Sequence, residues 1–166
     1  MRRSFSLLLF FVLFPAACNK ATPPVDPPPG IENVSVSIST SLESAYQPGD
    51  SDSSEISVKI DDPDKALQNA VIFLAVTERL GGGSYRIAPE ILADGSVEPN
   101  IFQTVYSGKQ LRKGLSSKLS FKLSDTATPS GYALVIQVFN GTETNPNLVK
   151  IENRIGSRTF RFDIVE

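Results

Sequence analysis

Pro129-Ser-Gly-Tyr-Ala-Leu-Val-Ile-Gln-Val138 carries the clearest structural signal in this chain of 166 residues. Tyr132, Leu134, Ile136 and Val138 set an apolar side chain at every second position, and residues two apart share one face of a strand. Upstream, Leu119, Phe121 and Leu123 alternate with Ser120, Lys122 and Ser124; downstream, Phe160, Phe162 and Ile164 alternate with Thr159, Arg161 and Asp163. Val34, Val36 and Ile38 interleaved with serines, and Ile56, Val58 and Ile60, repeat the pattern near the start. Ala70-Val-Ile-Phe-Leu-Ala-Val76 is apolar throughout and rich in β-branched residues, which predicts a central strand covered on both faces.

Weaker strands are expected at Ser84 to Ile87, Ile101 to Tyr106 and Leu148 to Ile151. Turn residues separate these runs: Gln47 to Ser54 reads as a loop, Gly81-Gly-Gly83 as a hairpin connection, and Asn140-Gly141 as a hairpin dipeptide closing its strand. Asp61 to Gln68 is expected to form one helical turn, and no segment holds a 3.6-residue apolar period, so substantial helix is not expected. The expected fold class is all-β, a single antiparallel β-sandwich of about 7–9 strands over residues 31–166.

That late region resembles immunoglobulin-like and fibronectin type III domains, in particular adhesion-related modules of bacterial surface proteins, where Ser-Gly-Tyr leads into the penultimate strand. The resemblance implies that Tyr132 bonds back to the main chain as a tyrosine corner. The chain departs from true immunoglobulin domains in lacking the Cys pair and the core Trp.

The first residues differ in kind. Arg2 and Arg3 precede an apolar run from Phe5 to Phe14, followed by Pro15-Ala-Ala-Cys18. Charged segment, short apolar segment and small residues make an export signal, and a run of ten residues falls short of the roughly 20 apolar ones needed to span a bilayer. Ala16-Ala17-Cys18 resembles the lipobox of bacterial lipoproteins, with Pro15 where that family usually has an aliphatic residue. The resemblance implies a signal peptide over residues 1–17, lipidation of Cys18, and anchoring to the cell envelope, with the outer membrane of a Gram-negative bacterium the expected location. An ordinary cleaved signal with an incidental Cys, or a retained inner-membrane helix, are the other readings of the same stretch. Residues 18–30 hold five prolines between Asn19 and Gly30, a composition that favours extended polyproline II and hence a semi-rigid stalk.

Composition narrows the chemistry. The chain has no His and a single Cys, so a Ser-His-Asp triad cannot be built, and an acylated Cys18 leaves no thiol for a disulfide or metal. After residues 1–17 are removed, 14 basic residues face 18 acidic ones, which gives no basic face for nucleic acid. Glu78, Glu90, Glu98, Glu143 and Glu152 are the acids for a carboxylate pair, but their spacing nominates none.

Asp50, Asp52, Asp61, Asp62 and Asp64 form two acidic stretches that are weak calcium candidates, without the Gly and distal Glu of an EF-hand loop. Tyr46, Tyr85, Phe102 and Tyr106 are the aromatics to weigh for glycan stacking, with core packing the rival role for each. Asp125-Thr-Ala127 resembles a short O-glycan acceptor used by a group of Gram-negative bacteria, which implies Thr126 as the acceptor. The expectation is a non-enzymatic, envelope-anchored sandwich that needs no cofactor. It displays its surface to a protein or glycan partner in adhesion or scaffolding; the alternatives are an oligosaccharide-binding subunit of a nutrient-uptake complex and a carboxylate-dependent hydrolase.

Overall fold

The computed structural model describes residues 30–80, 84–93 and 102–166. Nine strands and one short helix are present among them: β1 (Ser35–Thr40), β2 (Ala45–Tyr46), β3 (Ser51–Asp61), β4 (Asn69–Arg79), β5 (Tyr85–Ile87), β6 (Val105–Ser107), α1 (Gly108–Lys113), β7 (Leu115–Lys122), β8 (Ser130–Asn140) and β9 (Arg154–Ile164). One sheet has the order β1-β3-β7; the other runs β2-β9-β8-β4-β5, with β6 also paired to β4. With β1, β3 and β7 as strands A, B and E, and β9, β8, β4 and β5 as G, F, C and C′, this is an immunoglobulin-like sandwich. Its pairs are antiparallel except β2 with β9, which is parallel.

The period-2 stripes fill the space between the sheets. Ile56, Val58 and Ile60 of β3 face Ile72 and Val76 of β4 and Leu134, Ile136 and Val138 of β8, in one cluster that includes Leu119, Leu123 and Phe162. Burying each such side chain stabilises the fold by about 1.5–3 kcal/mol relative to exposure. From Ala70 to Val76, β4 is apolar at every position because its outer face is covered too. Val71 and Phe73 pack with Phe139, ring centroids 5.5 Å apart, under Val149 of the segment joining β8 to β9.

Four local expectations are corrected. Ser51 to Ser54 belongs to β3, because β7 supplies backbone partners there and Ser54 turns its side chain inward; the loop shrinks to a turn at Gln47–Asp50, with Gly49 at φ 85°. Asp61 to Gln68 forms no helical turn: the Asp62 carboxylate accepts from the Ala66 and Leu67 amides at 2.9 and 3.2 Å, holding a non-helical loop with Lys65 at φ 54°. Asn140-Gly141 does not make a tight hairpin, since residues 141–153 separate β8 from β9. Leu148 to Ile151 is no strand but part of that connection, pinned by Asn145 side-chain and main-chain acceptors and leading into a single 3₁₀ turn that begins at Ile151.

Helix α1 is the element the periodicity did not show. Six residues are too few for an apolar period, but Ser107 and Gln110 form a reciprocal capping box. Gly108 lets the helix lie against the chain, since a Cβ there would stand 2.0 Å from the Leu67 carbonyl oxygen. At the start of β8, Tyr132 Oη donates to the Thr128 carbonyl at 2.8 Å, the geometry of a tyrosine corner. Gly81-Gly-Gly83 and Ile101 lie outside the described residues.

Candidate functional site

The last strand, Arg154-Ile-Gly-Ser-Arg-Thr-Phe-Arg-Phe-Asp-Ile164, has an open side. Phe160, Phe162 and Ile164 turn toward the core while Thr159, Arg161 and Asp163 face outward. β8 pairs with β9 along one edge, but on the other edge β2 covers only Asp163 and Ile164. There the Asp163 and Val165 amides donate to the carbonyls of Ser44 and Tyr46, each at 2.9 Å. Main-chain groups of alternate residues point the same way, so the N–H and C=O of Arg161, Thr159 and Ser157 face that same side. Among the described residues they have no strand partner.

The gap follows from how the chain changes sheets. β1 is held by β3, with Thr40 opposite Ile56, and residues 41–44 then cross to bring β2 beside β9. At the other end β1 touches β9, where Gly156 admits Val36: a Cβ on Gly156 would lie 2.5 Å from the Val36 Cβ. From that contact the two strands diverge toward Thr40. They leave a cleft of about 430 Å³ lined by Thr40, Leu42, Arg158, Thr159, Phe160 and Arg161.

Among the described residues the lining is rich in donors and has no carboxylate. The lining residues include two arginines and two threonines beside the apolar Leu42 and Phe160, and the amides of Thr159 and Arg161 on the open edge add donors. Neither Arg158 nor Arg161 enters an ion pair among the described residues, in contrast to Arg86 and Arg112. A guanidinium presents a fork of N–H groups that fits carboxylate or phosphate oxygens two at a time. Such donors suit an anion.

The residues singled out from sequence lie elsewhere. Tyr46 is a core residue, 4 % exposed, with its ring edge-on to Phe121 and Phe162 at 5.6 Å. Its hydroxyl accepts from the Glu43 amide and donates to Asp52. Burial, then the hydrogen bond to Asp52, raises the Tyr46 pKa well above that of an ordinary phenol. Burial also acts on Asp52, but donation from Ser54, Tyr46 and the Ser53 amide outweighs it and keeps this carboxylate below its usual range. Phe102 and Tyr106 are partly buried against the core. Tyr85 alone of the four is exposed, at 40 %.

The five aspartates do not converge. Asp50 and Asp52 lie at one end of β3 and Asp61 and Asp62 at the other, roughly 30 Å away by strand rise. Asp62 is buried and takes Arg112 and two amides, Asp50 accepts from the Gln47 amide, and Asp64 accepts from Asn33 at 2.7 Å. No group of three metal-ligating side chains forms among the described residues. Glu78 and Glu90 do come together, but on Arg86, which bonds both. Glu143 accepts the Asn145 amide, Glu152 sits 3.6 Å from Lys150, and Glu98 lies outside the described residues. Thr126 is exposed in the turn after β7, its hydroxyl 2.9 Å from that of Ser124. Cys18 also lies outside the described residues.

The cleft was missed because its members are far apart in sequence and unremarkable one by one. The one signal available was Arg154, Arg158 and Arg161 in a strand with no acid before Asp163.

No family model matches the chain, and no curated protein matches it in sequence. Solved structures with a related shape include a family 123 glycoside hydrolase from Clostridium perfringens, at 12 % identity and TM-score 0.45, matched over 78 % of this chain and 27 % of that one. The chain thus spans about a quarter of that hydrolase. The human seminal plasma complex of zinc 2-glycoprotein and prolactin inducible protein matches over 79 % of this chain and 94 % of that one, at 10 % identity and TM-score 0.40. AvmM, which catalyses macrocyclization in alchivemycin A biosynthesis, matches over 79 % and 89 %, at 9 % identity and TM-score 0.39. At these scores none bears on the function of this chain.

Proposed function

We propose that this chain is a non-enzymatic, lipid-anchored protein of the cell envelope, with the outer membrane of a Gram-negative bacterium as its expected site. Its β-sandwich is displayed on a proline-rich stalk for contact with a partner. The observation that supports it most is the donor-lined cleft between β1 and β9, where two arginines without an ion-pair partner among the described residues and open main-chain groups meet in one concavity. Unspent hydrogen-bonding capacity on a rigid sheet edge is what a binding module offers. The export segment and Cys18 supply the anchor, and an anchored module meets its neighbours at raised effective concentration.

Protein contact is favoured over oligosaccharide uptake because only Tyr85 of the four candidate aromatics offers a free ring. Hydrolysis by a carboxylate pair is disfavoured because Glu78 and Glu90 are bridged by Arg86. Crosslinking on intact cells, comparing wild type with Arg158→Ala/Arg161→Ala, tests the reading: the partner band should fade in the double variant. An undiminished band would remove the cleft from the contact surface. Cys18→Ser should shift the protein from the detergent phase to the aqueous phase, and equal partition of both forms would remove the anchor.

A further inference from the structure

We infer that the β9 cleft receives an extended acidic segment of another protein, added as a strand beside β9, with its two acidic residues three positions apart. The inference rests on the display reading above and specifies its ligand.

Three features of the edge lead there. First, the open groups of β9 are alternating N–H and C=O from Thr159 and Arg161, at the spacing of a sheet edge. A peptide main chain answers both kinds of group at that spacing, whereas a saccharide has hydroxyls without it. Second, Arg158 has the parity of Phe160, toward the gap between the sheets, while Arg161 has the parity of Thr159, on the outer face. Residues directly opposite each other in a pair share a face. A strand beside β9 therefore meets Arg158 with one side chain and Arg161 with another three positions along, on the opposite face. Its residue opposite Phe160 faces the Leu42 and Phe160 floor. The pattern is acid, two residues of which one is apolar, then acid.

Third, the charges that suit an acidic strand exclude a second copy of the same edge. An antiparallel β9–β9 pair would bring Arg154, Arg158 and Arg161 of both copies together with no acid nearer than Asp163, and like charges across a pair are destabilising.

The test uses the whole mature chain made soluble by Cys18→Ser. Fluorescein-labelled ten-residue peptides carry two Glu either three or two positions apart, with the same composition, and binding is read by anisotropy; oligogalacturonate serves as a carboxylated saccharide. The three-apart peptide should bind at least about tenfold more tightly than the two-apart peptide. Arg158→Ala and Arg161→Ala should each weaken it by about tenfold or more, the loss expected for one charge-assisted contact. Thr159→Pro removes an outward amide and leaves both guanidinium groups, so it should also abolish binding, with an unchanged melting temperature showing that the fold is kept.

Equal affinity for the two spacings, or binding indifferent to Thr159→Pro, overturns strand addition. If oligogalacturonate binds through the arginines and neither peptide does, the display reading stands and this inference falls. If no ligand binds and crosslinking on cells is also unchanged in the arginine variants, both fall.

Discussion

Arg112 and Arg158 carry the same guanidinium in opposite settings. Arg112, 27 % exposed, reaches from α1 to the Asp62 carboxylate, whose side chain is 1 % exposed and also binds two amides. Arg158 stands in an open cleft with no carboxylate in the lining among the described residues. One charge has been used to close a corner of the fold, joining the end of β3 to the helix; the other has been left over by the fold. The contrast separates charge that holds structure from charge available to a partner, and substitutions at the two sites should diverge accordingly.

The largest effect is expected at the closed site. Asp62→Ala leaves the Ala66 and Leu67 amides and the Arg112 guanidinium without their acceptor, and loss of one member of a buried pair costs about 3 kcal/mol. For a domain of this size that lowers Tm by roughly 10 °C, readable by calorimetry. Arg112→Met on top of Asp62→Ala should recover part of the loss, because the uncompensated cation is gone. No recovery would mean that the loop amides, and not the ion pair, hold this corner.

A second, smaller effect is expected where the cleft is hinged. Gly156→Ala drives a Cβ against Val36, at a separation that real Cβ atoms do not show, so β1 must move. Overpacking of this kind costs about 1–3 kcal/mol. The variant also changes the width of the cleft, so it should alter ligand binding without touching a lining residue.

How far the sequence exposes these sites depends on the range of the interactions involved. Period-2 stripes are local, so the strands, the doubly covered β4 and the Tyr132 corner can be read from short windows. Ser51 to Ser54 is polar enough to read as a loop and becomes strand only because β7 lies beside it, a partner more than sixty residues away. The same holds for Tyr46. Its neighbours Gln47-Pro-Gly49 place it by a turn, but its core position comes from Phe121 and Phe162. The cleft is the extreme case, because an open edge is defined by a strand that fails to pair. The only local mark of Arg158 and Arg161 is a basic run without an acid before Asp163, a pattern that solvated charge shares.

Tyr46 offers an intermediate test, since it joins the end of the cleft to the core. Tyr46→Phe keeps the ring packing and removes the hydroxyl shared by the Glu43 amide and Asp52, at a cost of about 1 kcal/mol. Its signature is in the pH dependence. The raised phenol pKa contributes stability below pH 10.0, its ordinary value, and that contribution is lost as the pH rises beyond it. The depressed Asp52 pKa contributes stability above 3.8, lost as the pH falls below that value. The Phe variant should lose less stability than wild type on both limbs of a denaturation-versus-pH curve. An unchanged alkaline limb would place the ionising phenol elsewhere.

The smallest structural effect is expected at the open site. Arg158→Ala/Arg161→Ala breaks no ion pair and uncovers no core, so the stability should shift by no more than about 0.5 kcal/mol in a urea titration. The sign is informative. Arg154, Arg158 and Arg161 lie on one strand without a neutralising partner among the described residues, so removing two of them relieves mutual repulsion and should leave the fold as stable or slightly more so, most visibly at low salt. A loss as large as that of Asp62→Ala would show that these arginines hold β1 against β9. The cleft would then be a structural joint, and the distinction between a closed and a displayed guanidinium would disappear.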